Sequence, residues 1–183
     1  MAEIIPSTKP VFEKLSKQHL QVINSFQNQE KELVNFLVED ALANQAMRIS
    51  TTYLAFLTEG GFKKLVGYVS LLSDSIRVKE NKELLVFFDN KGIHYSCLPA
   101  LKIGRLAVDA LYQKKGIGTH LILFSISTGS KLSDNVGCRF ITTDAKPEAI
   151  DFYNKLGFRV LKERKGKLIP MYFDLSYDRI QLD

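Results

Sequence analysis

The chain has 183 residues, 45% hydrophobic and 25% charged, enough for one domain with a substantial core and ordinary for a globular protein. Its longest apolar runs, such as Leu84 to Phe88, are far too short to cross a bilayer, and the leading MAEIIPSTKPVFEK lacks the basic-then-apolar layout of a signal peptide. Two cysteines, three histidines and no CxxC pair speak against a metal site or a disulfide framework and predict a cytoplasmic chain with reduced thiols, while the net charge of +5 suits a polyanionic partner.

In chain order, Lys17 to Phe26 reads as a short helix. EKELVNFLVEDALANQAM (30–47) sets Leu33, Phe36, Leu37, Asp40/Ala41 and Asn44 at helical spacing, with charge on the opposite side. TTYLAFL (51–57) is rich in β-branched and aromatic residues; EGG makes a turn, and KLVGYVSLL (64–72) returns as the second arm of a hairpin. From Ser73 to Pro99 two readings stand, because KENKELLVFFDNKG suits either a short amphipathic helix or a strand with a charged lead-in. Pro99 precedes ALKIGRLAVD, a buried strand.

A helix follows over 117–132, with Ile117, Leu121, Phe124, Thr128 and Leu132 on one face, and then VGCRFITTD (136–144) as a strand. Pro147 suits a first helical turn, Ala149, Phe152, Tyr153 and Leu156 keep helical spacing, and Gly157 ends the helix. FRVLKE and PMYFDLS, separated by a turn region RKGKLI, close the chain as an antiparallel hairpin. Strand, helix and strand in the order 103–109, 117–132 and 138–144 make a βαβ unit, which requires a parallel pair with a right-handed crossover. The predicted fold class is therefore mixed α/β, with a crevice at the carboxyl ends of the parallel strands.

Between that first strand and its helix lies QKKGIG, residues 113–118. A strand-to-helix turn directs several backbone N–H groups outward together, the helix dipole favours an anion, and glycines let a bulky anion approach the backbone. A Walker loop is excluded because Thr119-His120 follow the last glycine, and the dinucleotide fingerprint lacks its third glycine at Leu121. A plain helix-entry turn with solvated lysines remains open on this stretch alone.

Gln113, Gly116 and Gly118 match Arg/Gln-x-x-Gly-x-Gly/Ala, and Ala149, Phe152, Tyr153, Lys155, Gly157 and Phe158 match Ala-x-x-Phe-Tyr-x-Lys-x-Gly-Phe. Together they make the chain resemble the GNAT superfamily of acetyl-CoA-dependent N-acetyltransferases. ELVNFLVEDALANQ, TYLAFL, VGYVSLLSDSI and KIGRLAVD further resemble the branch of toxin acetyltransferases from bacterial toxin–antitoxin pairs. Two positions depart from the pattern. Lys146 stands where many relatives have Asn, and SFQNQEKEL (25–33) replaces a Cys-Gly pair.

The resemblance implies a GNAT fold of mixed, α+β-like character in a single domain over 1–183. Its central, mostly antiparallel sheet would have six to seven strands, with one parallel pair splayed to hold CoA and helices on both faces. It implies that Leu106, Ala107 and Val108 offer backbone groups to the pantetheine arm and thioester carbonyl. Gln113, Lys114, Lys115 and Gly116, with Ile117, Gly118 and Thr119, would hold the pyrophosphate. Ala149 and Phe152 join the cofactor-binding set, and Tyr153 lies by the thioester sulfur. Acetyl-CoA is the implied co-substrate, with no metal.

The expected reaction is direct attack of a primary amine on the thioester. Val108 or its neighbour supplies a backbone donor to the oxyanion, and Tyr153 acts as general acid to the thiolate. No general base stands out: His19, His94, His120, Asp74 and Asp109 each have a structural or solvated reading. As acyl-carrying nucleophiles, Cys138 reads instead as core at the start of a buried strand, and Cys97 has no recognisable base partner. Lack of a base favours α-amines, including those of aminoacyl-tRNA, over lysine side chains. The expected partners are an amine acceptor, tRNA and a small antitoxin, with no membrane and with a homodimer left open. The alternatives are a small-molecule or protein N-terminal amine acetyltransferase and a non-catalytic acyl-CoA-binding module.

Overall fold

The computed structural model describes residues 9–162 and 167–176; part of the expected turn region RKGKLI, 163–166, lies outside them. Two compact units are built from interleaved segments, Met1–Leu72 with Gly104–Ser125 and Ser73–Ile103 with Ile126–Asp183.

In the first unit the leading strand β1 (Val11–Lys14) pairs antiparallel with β2 (Thr51–Glu59). Four residues were too few for the sequence pattern to reveal β1. Between these strands come a 3-10 turn (Lys17–His19) and α1 (Leu20–Ile23), then α2 (Lys31–Asn35), a π-turn (Phe36–Asp40) and α3 (Ala41–Ala46). β2 turns through Gly60 and Gly61, both at positive φ, into β3 (Phe62–Arg77). The pairing register shifts between Ala55/Phe56, where Ala55 opposes Gly67 and Phe56 opposes Leu65, so Val66 is the extra residue of a bulge.

Alternation along these strands fills two layers. Leu54, Phe56 and Tyr68 join Leu15, Ile23, Phe26, Leu37 and Ala41, from the segment between β1 and β2, in one core cluster. Each such large side chain contributes about 1.5–3 kcal/mol when fully buried. Phe12 stacks on Phe124 at 4.1 Å between ring centroids, and Tyr53 lies 4.9 Å from the same ring; this brings in the first half of α5 (Ile117–Ser133).

The second unit holds the end of β3, α4 (Lys82–Asp89), the start of β4 (Cys97–Val108), the end of α5, β5 (Phe140–Ala145), α6 (Ile150–Lys155), β6 (Arg159–Val160) and β7 (Ile169–Asp174). The ambiguous stretch resolves in favour of the helix. The Asn81 side chain caps it by accepting from the Leu84 N–H at 3.0 Å, while Leu84 and Phe88 enter a core with Ile76, Val78, Leu98, Phe140 and Tyr172. β4 and β5 are parallel, in register from Ala100↔Phe140 to Ile103↔Thr143; β7 pairs antiparallel with β5 and with β6.

Among the described residues the strands follow the order β1-β2-β3-β4-β5-β7-β6, a mostly antiparallel sheet with one parallel pair, as expected. No helix among them is long and apolar enough to cross a membrane. Several boundaries differ from the sequence reading. β3 runs on to Arg77, β4 starts at Cys97 and includes Pro99, and β5 begins only at Phe140, after exposed Val136 and Gly137. The inward face of α5 runs through Ser125 and Gly129, while Leu132 is exposed. Small residues win there because the helix sits close on β5: a Cβ on Gly129 would overlap Ile141 Cδ1.

Candidate active site

The register of the parallel pair ends at Ile103↔Thr143, yet β4 continues to Val108. Leu106 and Val108 are half-buried and Ala107 is buried. Ala107 is seated by a close approach, for a Cβ added at Gly67 would stand 2.9 Å from the Ala107 carbonyl oxygen, 3.1 Å from Leu121 Cδ1 and 3.3 Å from Ile117 Cγ2. Only glycine at position 67 lets β4 and the first turn of α5 come so near β3.

Asp109 closes the strand. Its backbone N–H donates to the Val66 carbonyl exposed by the bulge, at 3.0 Å. One carboxylate oxygen accepts from the Leu111 N–H at 3.0 Å and the other from the Gln27 N–H at 2.9 Å. With 5% of its surface exposed and both oxygens engaged, Asp109 is a fastening residue. The segment after α1 completes the contact: Ala110 N–H donates to the Gln27 carbonyl at 2.8 Å, and Asn28 Nδ2 donates to the Val108 carbonyl at 2.8 Å.

A 3-10 turn (Ala110–Tyr112) then leads to Gln113, Lys114 and Lys115, all exposed, and to half-buried Gly116, Gly118 and Thr119 around buried Ile117. Lys114 and Gly116 both have positive φ, 59° and 77°, which turns the backbone sharply before α5 begins. Alternating handedness of this kind groups N–H donors into an anion-binding concavity at a helix N-terminus. Lys115 Nζ lies 5.0 Å from the centre of the Tyr112 ring, and the Tyr112 hydroxyl donates to Glu59 at 2.8 Å. That bond pushes the Tyr112 pKa up to about 12, because ionising the phenol would set two anions together. The turn is thus tied to the tip of the β2–β3 hairpin, and a glycine at position 67 leaves room for it. These features fit a phosphate-bearing, extended ligand such as acetyl-CoA. The strand's carboxyl end has backbone groups that an amide-rich arm could bond, and the lysine turn has charge that a diphosphate could meet.

The second group of expected residues sits on α6. Ala149 ends the 3-10 turn before it, Phe152 is half-buried, and Tyr153 is 7% exposed. The Tyr153 ring meets those of Phe152 and Phe158 edge-on, each at 5.3 Å. The helix ends as the sequence predicts: Gly157, at φ 85°, donates to the Asn154 carbonyl at 3.0 Å, and the Phe158 N–H donates back to Tyr153 at 3.1 Å. Burial raises the Tyr153 pKa above its ordinary value, partly offset by a hydrogen bond with the Thr143 side chain. The phenol is therefore a protonated acid at neutral pH. The match to the family motif singles out Tyr153, but nothing local could mark Thr143, which belongs to β5.

Of the remaining candidates, Asp74, His19 and His94 have structural partners. Asp74 accepts from the Thr142 hydroxyl at 2.6 Å. His19 is buried, with its two ring nitrogens facing Ser16 and Glu13. Exposed His94 faces Asp89. Burial, assisted by Lys9, lowers the His120 pKa. Cys138 is buried and its thiol pKa is raised by that burial, whereas Cys97 is exposed. Among the described residues no group of His, Cys, Asp and Glu could hold a metal ion.

Residues 21–167 match the Acetyltransferase (GNAT) domain family. A tRNA-acetylating toxin of Mycobacterium tuberculosis is 28% identical over 146 residues, covering 75% of this chain and 78% of that protein. Among solved structures, AtaT complexed with acetyl-methionyl-tRNAfMet shares the fold with a TM-score of 0.81 at 20% identity, over 95% of this chain and 99% of that one. A tyrosine-to-phenylalanine mutant of AtaT, bound to the C-terminus of the antitoxin AtaR and to acetyl-CoA, gives a TM-score of 0.74 at 18% identity over 96% and 99% of the two chains.

Proposed function

Because the chain belongs to the GNAT family of acetyltransferases, we propose that it moves the acetyl group of acetyl-CoA to the α-amine of an aminoacyl-tRNA. The observation that carries the chemistry is the end of β4, which runs past its parallel partner and leads, through one 3-10 turn, to the glycine–lysine turn at the α5 N-terminus. Leu106, Ala107 and Val108 would hold the pantetheine arm, and Gln113 to Thr119 the diphosphate; acetyl-CoA supplies an acetyl group activated as a thioester.

The amine attacks the acetyl carbon, and the Val108 N–H donates to the oxygen as negative charge gathers there. When the carbon–sulfur bond breaks, the electron pair leaves with the sulfur and the Tyr153 hydroxyl gives it a proton. Burial keeps that proton on Tyr153 until the thiolate forms. Asp74 and Asp109 are held in structural bonds, so the reading relies on the amine's own basicity. At pH about 7.5 an amine of pKa ~8 has roughly 200 times the neutral fraction of a lysine at ~10.4.

The acceptor follows from likeness to a tRNA-acetylating toxin and to AtaT with acetyl-methionyl-tRNA, and the net charge of +5 agrees with a nucleic-acid partner. On the same footing an antitoxin would hold the enzyme in check, and the reaction would take place in the cytoplasm. Incubation with labelled acetyl-CoA and a mixture of aminoacyl-tRNA, peptides and polyamines tests the reading. Label is expected on the aminoacyl-tRNA; label on polyamines or peptides alone would move the acceptor to small amines.

A further inference from the structure

The end of β4 is fastened by a segment some eighty residues earlier in the chain, and the fastening falls on the peptide next to the proposed oxyanion donor. The Ala107 carbonyl faces the Gly67 position on β3. In a trans peptide the N–H points opposite to the C=O, so the Val108 N–H is directed away from β3. The following peptide is held at both ends, by Asp109 N–H to Val66 at 3.0 Å and by Asn28 Nδ2 to the Val108 carbonyl at 2.8 Å. Asn28 is itself held, since its Oδ1 accepts from the Glu30 N–H at 2.9 Å, and the adjoining Gln27 makes two further bonds to Asp109 and Ala110.

We propose that Asn28 is a positioning residue for acetyl transfer: by gripping the Val108 carbonyl it fixes the direction in which the Val108 N–H points. Only rotation about the two bonds of the Val108 α-carbon could swing the N–H off target. A carboxamide anchored through its oxygen and donating through its nitrogen resists that rotation. No other uncharged side chain of this size can both accept from Glu30 and donate to Val108. The inference rests on the acetyl-transfer reading.

The test measures steady-state transfer to an aminoacyl-tRNA by wild type, Asn28→Ala and Asn28→Asp. Asn28→Ala is expected to lower kcat about tenfold, less than the loss of a whole oxyanion donor, with KM for acetyl-CoA within about twofold. Asn28→Asp sets an acceptor against the Val108 carbonyl at neutral pH but regains a donor when the introduced carboxyl is protonated. Asp109, whose carboxylate belongs to the same fastening, favours that protonation. The ratio of Asn28→Asp to wild-type activity should therefore rise as pH falls from about 7.5 to about 5. A purely structural role would lower thermal stability without separating kcat from KM and without this pH response. A flat ratio, or unchanged kcat in Asn28→Ala, overturns the inference while wild-type activity preserves the reading. A wild type that acetylates no amine overturns the reading, and the inference with it.

Discussion

Replacing Gly67 by alanine should damage stability and cofactor binding together. The added methyl would stand 2.9 Å from the Ala107 carbonyl oxygen, with Leu121 Cδ1 at 3.1 Å and Ile117 Cγ2 at 3.3 Å. The two side chains can give by a few tenths of an ångström, but the carbonyl belongs to a strand bonded into the sheet and can yield only by moving β4. Overpacking of this kind costs about 1–3 kcal/mol. For a chain of this size each kcal/mol lowers Tm by about 2–4 °C, so a fall of roughly 2–12 °C is expected. The carbonyl that must move lies between Leu106 and Val108, so calorimetry should also show acetyl-CoA binding weakened several-fold. Gly137→Ala is the control, because its nearest neighbour would be Pro99 Cγ at an ordinary 3.8 Å. Should Gly67→Ala melt and bind as the wild type does, the close approach of β4 and α5 to β3 would be wrong.

Three further outcomes are expected. Tyr153→Phe keeps the ring in its aromatic cluster but removes the proton, so single-turnover acetyl transfer should fall about 10²–10⁴-fold while acetyl-CoA affinity by calorimetry stays nearly unchanged. Lys114→Ala with Lys115→Ala removes charge from the α5 N-terminus; acetyl-CoA should bind about 3–30-fold more weakly in low salt, with the difference shrinking at about 0.5 M salt. His120 binds a proton less readily folded than unfolded, so the stability it gives is present above the unfolded pKa of about 6.5 and is lost as pH falls below that value toward its lowered folded pKa. The Tm of wild type should therefore fall relative to that of His120→Leu between pH 7 and pH 5; a difference in Tm that is the same at both pH values would refute the linkage.

What the sequence revealed follows from the range over which each signal acts. The glycine turn, the α5 entry and the α6 end are local devices, so Gly116, Pro147, Tyr153 and Gly157 could be placed from spacing alone. Residues 82–89 stayed ambiguous because LLVFF contains consecutive apolar side chains, and the Asn81 cap settles the matter only through a backbone bond. The Asp40/Ala41 ambiguity in the early helix has its counterpart in the π-turn, which shifts the helical repeat between buried Leu37 and buried Ala41. Asn28 and Thr143 were illegible for another reason. Asn28 acts on a residue eighty positions away, and Thr143 on one in the following helix, so no periodicity marks either.

The π-turn also bears on how this chain tolerates changes in length. It carries one residue more than an α-helical turn would, between two fully buried side chains that fix its ends. Removing a residue from 36–40 would let the helix close into regular turns, but everything after it would rotate by about 100°. Gln45 could then no longer donate to the Leu15 carbonyl at 2.7 Å while accepting from the Thr52 N–H at 3.2 Å, the two bonds that join the end of β1 to the start of β2. The extra residue is thus a fixed part of the framework, and a shorter chain would have to rebuild the edge of the sheet to do without it.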